Sequence, residues 1–184
     1  MKRRLQRASL ALWLAPGLAA AIGVGGCDPD ASDEVLATPD ARIAIHRVES
    51  GAPTREGLAF IDAVARIHGE VDAATDMERK VAALRRGLAL PVPANLPEAE
   101  VLRLELATRL GETLAGRAEG VAVGLDLLEP MLDPERSLPL DRATARALVT
   151  LGDLAVKAGD DALAAGSYAR AIRVMSSLRK EIEQ

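Results

Sequence analysis

The sequence predicts an all-α domain of about six to seven helices over residues 41–184. Three observations carry this. Leu, Ala and Val supply most of the apolar residues while aromatic residues make up 2%, and Ala and Leu favour helix where β-branched runs are scarce. Apolar residues recur at spacings of three and four between glycine, proline and aspartate breaks. The stretches also carry residues suited to helix ends, such as Thr54, Asp141 and Gly159.

The chain begins differently. Lys2, Arg3, Arg4 and Arg7 make a basic start, an apolar run from Ala8 to Val24 is interrupted at Pro16-Gly17, and Gly25-Gly26 precede Cys27, the only cysteine. An apolar run of about 17 residues with such a break is short for a membrane span, which needs roughly 20. Val24-Gly25-Gly26-Cys27 resembles the lipobox of bacterial lipoproteins, where a peptidase cuts just before a cysteine that has received a lipid. The resemblance implies that residues 1–26 are a signal peptide and that Cys27 is the lipidation site. It also implies that the only attached group is a covalent lipid, which anchors the domain to the inner or outer membrane of the cell envelope, in the periplasm or at the cell surface. Each acyl methylene buried in a bilayer contributes about 0.8 kcal/mol, so two or three chains hold a small domain stably.

Removing residues 1–26 takes the chain from 184 to 158 residues, enough for one domain with a core. It also takes the net charge from −4 to −8, because the leader carries four basic residues and no acid. A chain this acidic is unsuited to nucleic acid, whose binding rests on cations meeting phosphates. A single cysteine allows no intrachain disulfide. Residues 28–40, following Cys27, are acidic, punctuated by proline and without periodicity, so 27–40 reads as a lipidated residue and a disordered tether reaching on the order of 20 Å. Asp28, Asp30 and Asp33 glance towards a calcium loop, but the sixth position is Asp33 where glycine is needed and the twelfth is Pro39, not glutamate.

Within the domain, Thr38-Pro39-Asp40 has the form of a helix start, predicting a short helix through Ile45 and Val48 to Gly51. The alternation of Ile43 and Ile45 leaves a strand open at the same place. Thr54 caps the next helix, with Leu58, Ile61, Ala65 and Ile67-His68 on one side and Gly69 closing it. A helix over 72–89 carries Met77, Val81, Leu84 and Leu88 at 4-3-4 spacing, with Asp76 placed to pair with Lys80. Pro91, Pro93 and Pro97 break the chain over 90–97.

The helix over 98–115 is apolar on two faces, Val101, Leu104, Ala107 and Leu114 on one and Leu102, Leu106 and Leu110 on the other, which predicts a helix sandwiched between neighbours. After Gly116 a helix presents Val121, Leu125, Leu128 and Leu132 and ends near Pro130 and Asp133-Pro134. Asp141 caps a helix running to Ala158, and Gly159-Asp160 turns the chain into a last helix reaching the C-terminus.

This last pair resembles a tetratricopeptide repeat, a 34-residue unit of two antiparallel helices with small and large residues at fixed places. Over 145–178, Leu148 stands at the usual tryptophan position, followed by Leu151-Gly152, the turn, then Ala164, Tyr168 and Ala171. Ala155 and Ser176 depart from the family's aromatic and proline. Hairpins at 54–89, 98–132 and 141–182 supply the three units a stable stack needs. The earlier two are degenerate, and aligning their turns puts Arg109 under Gly152.

The resemblance implies a short right-handed solenoid of helical hairpins that binds another protein. In that family the first helix of each hairpin lines the ligand-bearing inner surface, which on 145–158 implies partner-binding roles for Arg146, Val149, Asp153 and Val156. The family's clamp for a peptide carboxylate needs Lys and Asn on these inward faces, and neither stands among Arg146, Val149, Asp153 and Val156, so an extended or basic segment of an envelope protein or peptide is the expected ligand.

No catalytic constellation is apparent, and no catalytic or metal-binding residue is assigned. His46 and His68 stand alone, with no second histidine four residues away and no cysteine to share a metal, and they read as solvated histidines. No nucleophile elbow or phosphate loop occurs in the domain. A scaffold lipoprotein and a passive structural lipoprotein or assembly subunit are the two expectations, with an enzyme disfavoured.

Overall fold

The computed structural model describes residues 43–48, 51–52, 54–94 and 96–183. The leader, Cys27, the tether and the Thr38-Pro39-Asp40 start signal lie outside them. In order come β1 (Ala44–His46), α1 (Arg55–Ala73), α2 (Met77–Leu88), α3 (Ala99–Leu114), α4 (Ala118–Leu128), β2 (Ser137–Pro139), α5 (Arg142–Ala158) and α6 (Asp161–Ile182). The fold is an all-α bundle of six helices, with one two-stranded ribbon joining its beginning to its second half.

Every helix packs on the next in sequence, and α3 additionally touches α1 and α5. α3 is therefore shared between two apolar clusters. Its Leu106, Leu110 and Ala99 join Phe60, Val64 and Ile67 of α1 and Leu84 of α2. Its Leu104 and Ala107 join Leu128 of α4, Leu148, Leu151 and Leu154 of α5, and Ala171 and Val174 of α6. Leu104 and Ala107 of one predicted face and Leu102, Leu106 and Leu110 of the other go to different clusters as expected, but Leu114, expected with Leu104, packs against the smaller cluster instead.

The helix ends follow the expected chemistry where a polar side chain is available. Thr54 Oγ1 accepts the Gly57 amide at 3.0 Å, Asp141 caps the Ala143 amide at 2.7 Å and Asp160 caps that of Leu163 at 2.9 Å. Gly159 ends α5 at φ 79°, in the left-handed region that a Cβ disfavours. The first hairpin differs from expectation. α1 continues through Gly69 to Ala73, and the turn falls at Ala74-Thr75-Asp76 instead. Asp76 does not pair with Lys80; it is the N-cap of α2, accepting the Arg79 amide at 2.8 Å. The buried face of α1 is Phe60, Val64, Ile67 and Val71, leaving Leu58 and Ala65 exposed and Ile61 half-buried.

The helix expected through Ile45 and Val48 is replaced by β1. Parallel pairing sets Ala44 opposite Ser137, Ile45 opposite Leu138 and His46 opposite Pro139. Ile43 and Ile45 turn against the larger cluster while Ala44 and His46 are exposed, the period-two burial of a strand. The physical reason is tertiary: Leu138 and the cluster beneath it reward alternation more than a short isolated helix would reward its own hydrogen bonds. Arg47 Nε then reaches Glu181 Oε1 at 2.7 Å, so this segment also meets α6.

Candidate interaction surface

Because α3 lies against both α1 and α5, the three odd-numbered helices present adjacent outward faces. Residues spaced by three and four occupy each: His68 and Asp72 on α1, Glu105, Arg109 and Glu112 on α3, and Arg146, Val149, Asp153 and Val156 on α5. Polar side chains cross-link these faces. Arg109 bonds to Asp72 and donates from Nη1 to His68 Nδ1 at 2.7 Å. On the other side, Arg146 grips Glu112 with both Nε, at 2.9 Å, and Nη2, at 2.6 Å. Thr150 adds its hydroxyl to the same carboxylate at 3.3 Å.

The electrostatics follow from these contacts. Burial pushes the His68 imidazole below its ordinary pKa, the Glu105 carboxylate 4.0 Å from Nε2 opposing this and Arg109 reinforcing it. An arginine that donates to Nδ1 also requires that nitrogen unprotonated, so the neutral imidazole carries its proton on Nε2. His68 is thus a partnered, half-buried histidine and not the solvated one expected. The Glu112 bond holds the Arg146 guanidinium above its ordinary pKa against the effect of burial.

The four residues assigned from the sequence share the exposed side of α5, but their states differ. Arg146 is engaged by Glu112, and Asp153 Oδ1 accepts the Tyr168 hydroxyl at 2.7 Å, a bond that raises the tyrosine's pKa. Val149 and Val156 stand open, 42% and 53% exposed. The charged contributors of α1 and α3 were missed. The spacing of Glu105, Arg109 and Glu112 on one helix face was visible, whereas their partners lie 34 to 41 residues away.

At the N-terminal ends of α3 and α5 a groove of about 480 Å³ opens between Val48, Val101, Leu102 and Leu140, with Arg47, Glu98 and Glu181 on its walls. A larger cleft of about 640 Å³ lies between the proline-rich 92–97 segment and Met131, Arg136 and Leu138. There Arg136 bonds to Glu100 at 3.3 Å. On the ribbon, His46 Nδ1 lies 3.0 Å from the Ser137 hydroxyl. Among the described residues no three His, Cys, Asp or Glu side chains converge to hold a metal ion, and no helix is long and apolar enough to cross a membrane. The outward faces of α1, α3 and α5 thus carry charged side chains bonded across the helices, with Val149 and Val156 open on α5. No family model, no curated protein and no solved structure matches this chain.

Proposed function

We propose that the chain is a lipid-anchored envelope protein, tethered through Cys27, whose helices form a short hairpin stack that binds an envelope protein or peptide along α5. Three features support the stack: the successive hairpins α1–α2, α3–α4 and α5–α6, the contact of α3 with both α1 and α5, and the fit of Tyr168 over Gly152. The observation that carries the binding reading is the exposure of Val149 and Val156 beside Arg146, which Glu112 pairs, and Asp153, which accepts the Tyr168 hydroxyl. Binding there strips water from two apolar side chains, while Asp153 keeps its bond to Tyr168 and its negative charge suits a basic group on the ligand. Seven residues of helix separate the valines by about 10 Å, close to the three-residue repeat of about 9 Å in an extended polyproline-II segment. A ligand with apolar side chains three residues apart suits them.

The test is the double variant Val149→Asp, Val156→Asp in crosslinked envelope preparations. Helicity and melting are expected to stay nearly unchanged while a crosslinked partner disappears. Identical crosslinks from variant and parent would make the patch plain surface. A passive structural role has its own support in the engagement of Arg146 and Asp153 within the molecule, and that result would favour it.

A further inference from the structure

Six residues on one side of α6 follow one another at spacings of four and three: Asp161, Ala165, Tyr168, Ile172, Met175 and Arg179. This period keeps them in a single stripe about 27 Å long. Tyr168 is half-buried and the other five are exposed, Ile172 at 53% and Met175 at 50%. The stripe is distinct from the buried face of the same helix, where Ala164, Ala171 and Val174 lie. α6 packs chiefly on α5, which leaves the stripe uncovered among the described residues. Tyr168 is held in place within it by its seat on Gly152 and its bond to Asp153.

The stripe is complementary to itself. It begins on an acid and ends on a base, with apolar and aromatic side chains between them. Two copies laid antiparallel would set Asp161 against the partner's Arg179, Ala165 against the partner's Met175 and Tyr168 against the partner's Ile172. A two-fold axis between Tyr168 and Ile172 then repeats each pair. Opposite charges meet at both ends, a small side chain faces a long one, and a ring faces a branched aliphatic. A parallel pair would instead put acid on acid and base on base. The exposed ion pair of Arg179 with Glu183, at 3.6 Å, contributes little and can be exchanged. A helix of another protein would need this same order of charges, whereas a second copy always carries it.

We infer that α6 pairs antiparallel with α6 of a second copy of this chain, forming a two-fold dimer. The seam lies on α6 and not on Val149 and Val156 of α5, and it stands whether or not α5 binds a protein.

The test is sedimentation equilibrium of the purified full chain in a mild detergent over a range of protein concentrations. The parent is expected to be a reversible dimer. Ile172→Asp sets two carboxylates beside the two-fold axis and is expected to weaken dimerisation at least about a hundredfold. Leu58→Asp, at a side chain of the same 53% exposure on α1, is expected to leave it unchanged. Asp161→Arg opposes like charges at both ends and is expected to weaken the dimer about tenfold, and Asp161→Arg with Arg179→Asp is expected to restore it. A parent chain that stays monomeric, or dimerisation as strong in Ile172→Asp as in the parent, would overturn the inference. So would dissociation by Leu58→Asp, or a double charge exchange no tighter than Asp161→Arg alone. The charge exchange decides the matter even where circular dichroism finds Ile172→Asp unfolded.

Discussion

The ring of Tyr168 occupies the space that a Cβ on Gly152 would need: an added carbon would sit 2.6 Å from Cε1 and 2.8 Å from Cζ. The glycine on α5 and the aromatic on α6 are thus one fitted pair, held at its outer end by the bond from Tyr168 to Asp153. Gly152→Ala is expected to push the ring off α5 and stretch that bond, costing about 1–3 kcal/mol. Denaturant unfolding of the variant checks it. A midpoint equal to the parent's would mean that the ring swings aside freely.

Ala164 and Ala165 are neighbours on α6 with opposite surroundings, one buried against α5 and the other exposed. Ala164→Arg forces a long charged chain into a helix contact and is expected to cost about 3 kcal/mol or more. Ala165→Arg is expected to fall within about 0.5 kcal/mol of the parent. Thermal melts of the pair form an internal control. Equal melting temperatures would remove Ala164 from the contact.

His68 supplies a pH dependence whose sign is determined by its lowered pKa. The unfolded chain takes up the proton more readily than the folded one, so protonation favours unfolding. The contribution of neutral His68 is whole above its ordinary value of 6.5 and is lost as pH falls below that toward the lower folded value. His68→Gln is expected to lose less stability than the parent on going from about pH 7.5 to about pH 5.5. Denaturant midpoints at the two pH values measure it, and parallel losses would show that the carboxylates alone set the acid limb.

Cys27 offers the only thiol of the chain, directly after Gly25-Gly26. Cys27→Ser is expected to abolish fatty-acid labelling and release the protein from the membrane fraction. Absence of label on the parent protein would end the lipoprotein reading.

The ends of α5 and the start of α6 were legible residue by residue, whereas β2 and the first hairpin's turn were not. Asp141, Ala158 and Gly159 mark the α5 boundaries in the sequence because local chemistry determines them: a carboxylate for free amides, then a residue that accepts positive φ. Gly69 misled for a related reason. It sits on an exposed face near the end of α1, where burial of Ile67 and Val71 on either side offsets the ~1 kcal/mol that a glycine costs a helix, and the actual turn is signalled by Asp76 as a cap. On α1, Leu58 and Ile61 have the same helical spacing as Phe60, Val64 and Ile67, and only the presence of α2 and α3 on one side selects between the two faces. The alternation of Ile43 and Ile45 leaves β1 open, but its pairing with Leu138, far along the chain, is what selects strand over helix. In the candidate surface the α5 positions follow from periodicity, whereas the Glu112 and Asp72 partnerships are purely tertiary.

The ribbon has a consequence for the order of events when the chain folds. Neighbouring hairpins close over a few residues, but β1 must wait for a strand whose Ser137 lies 91 residues beyond His46. Closing so long a loop costs entropy, and three residues of pairing repay little of it before the helices have formed the surface on which Ile43 and Ile45 rest. Contacts of this kind belong to the native side of the folding barrier. Ile45→Ala is therefore expected to speed unfolding and leave the refolding rate nearly unchanged, while Leu148→Ala, in the middle of the local α5–α6 hairpin, slows refolding. Stopped-flow rates for the two variants would tell these apart. β1, the first of the described elements to leave the ribosome, would be the last to find its place.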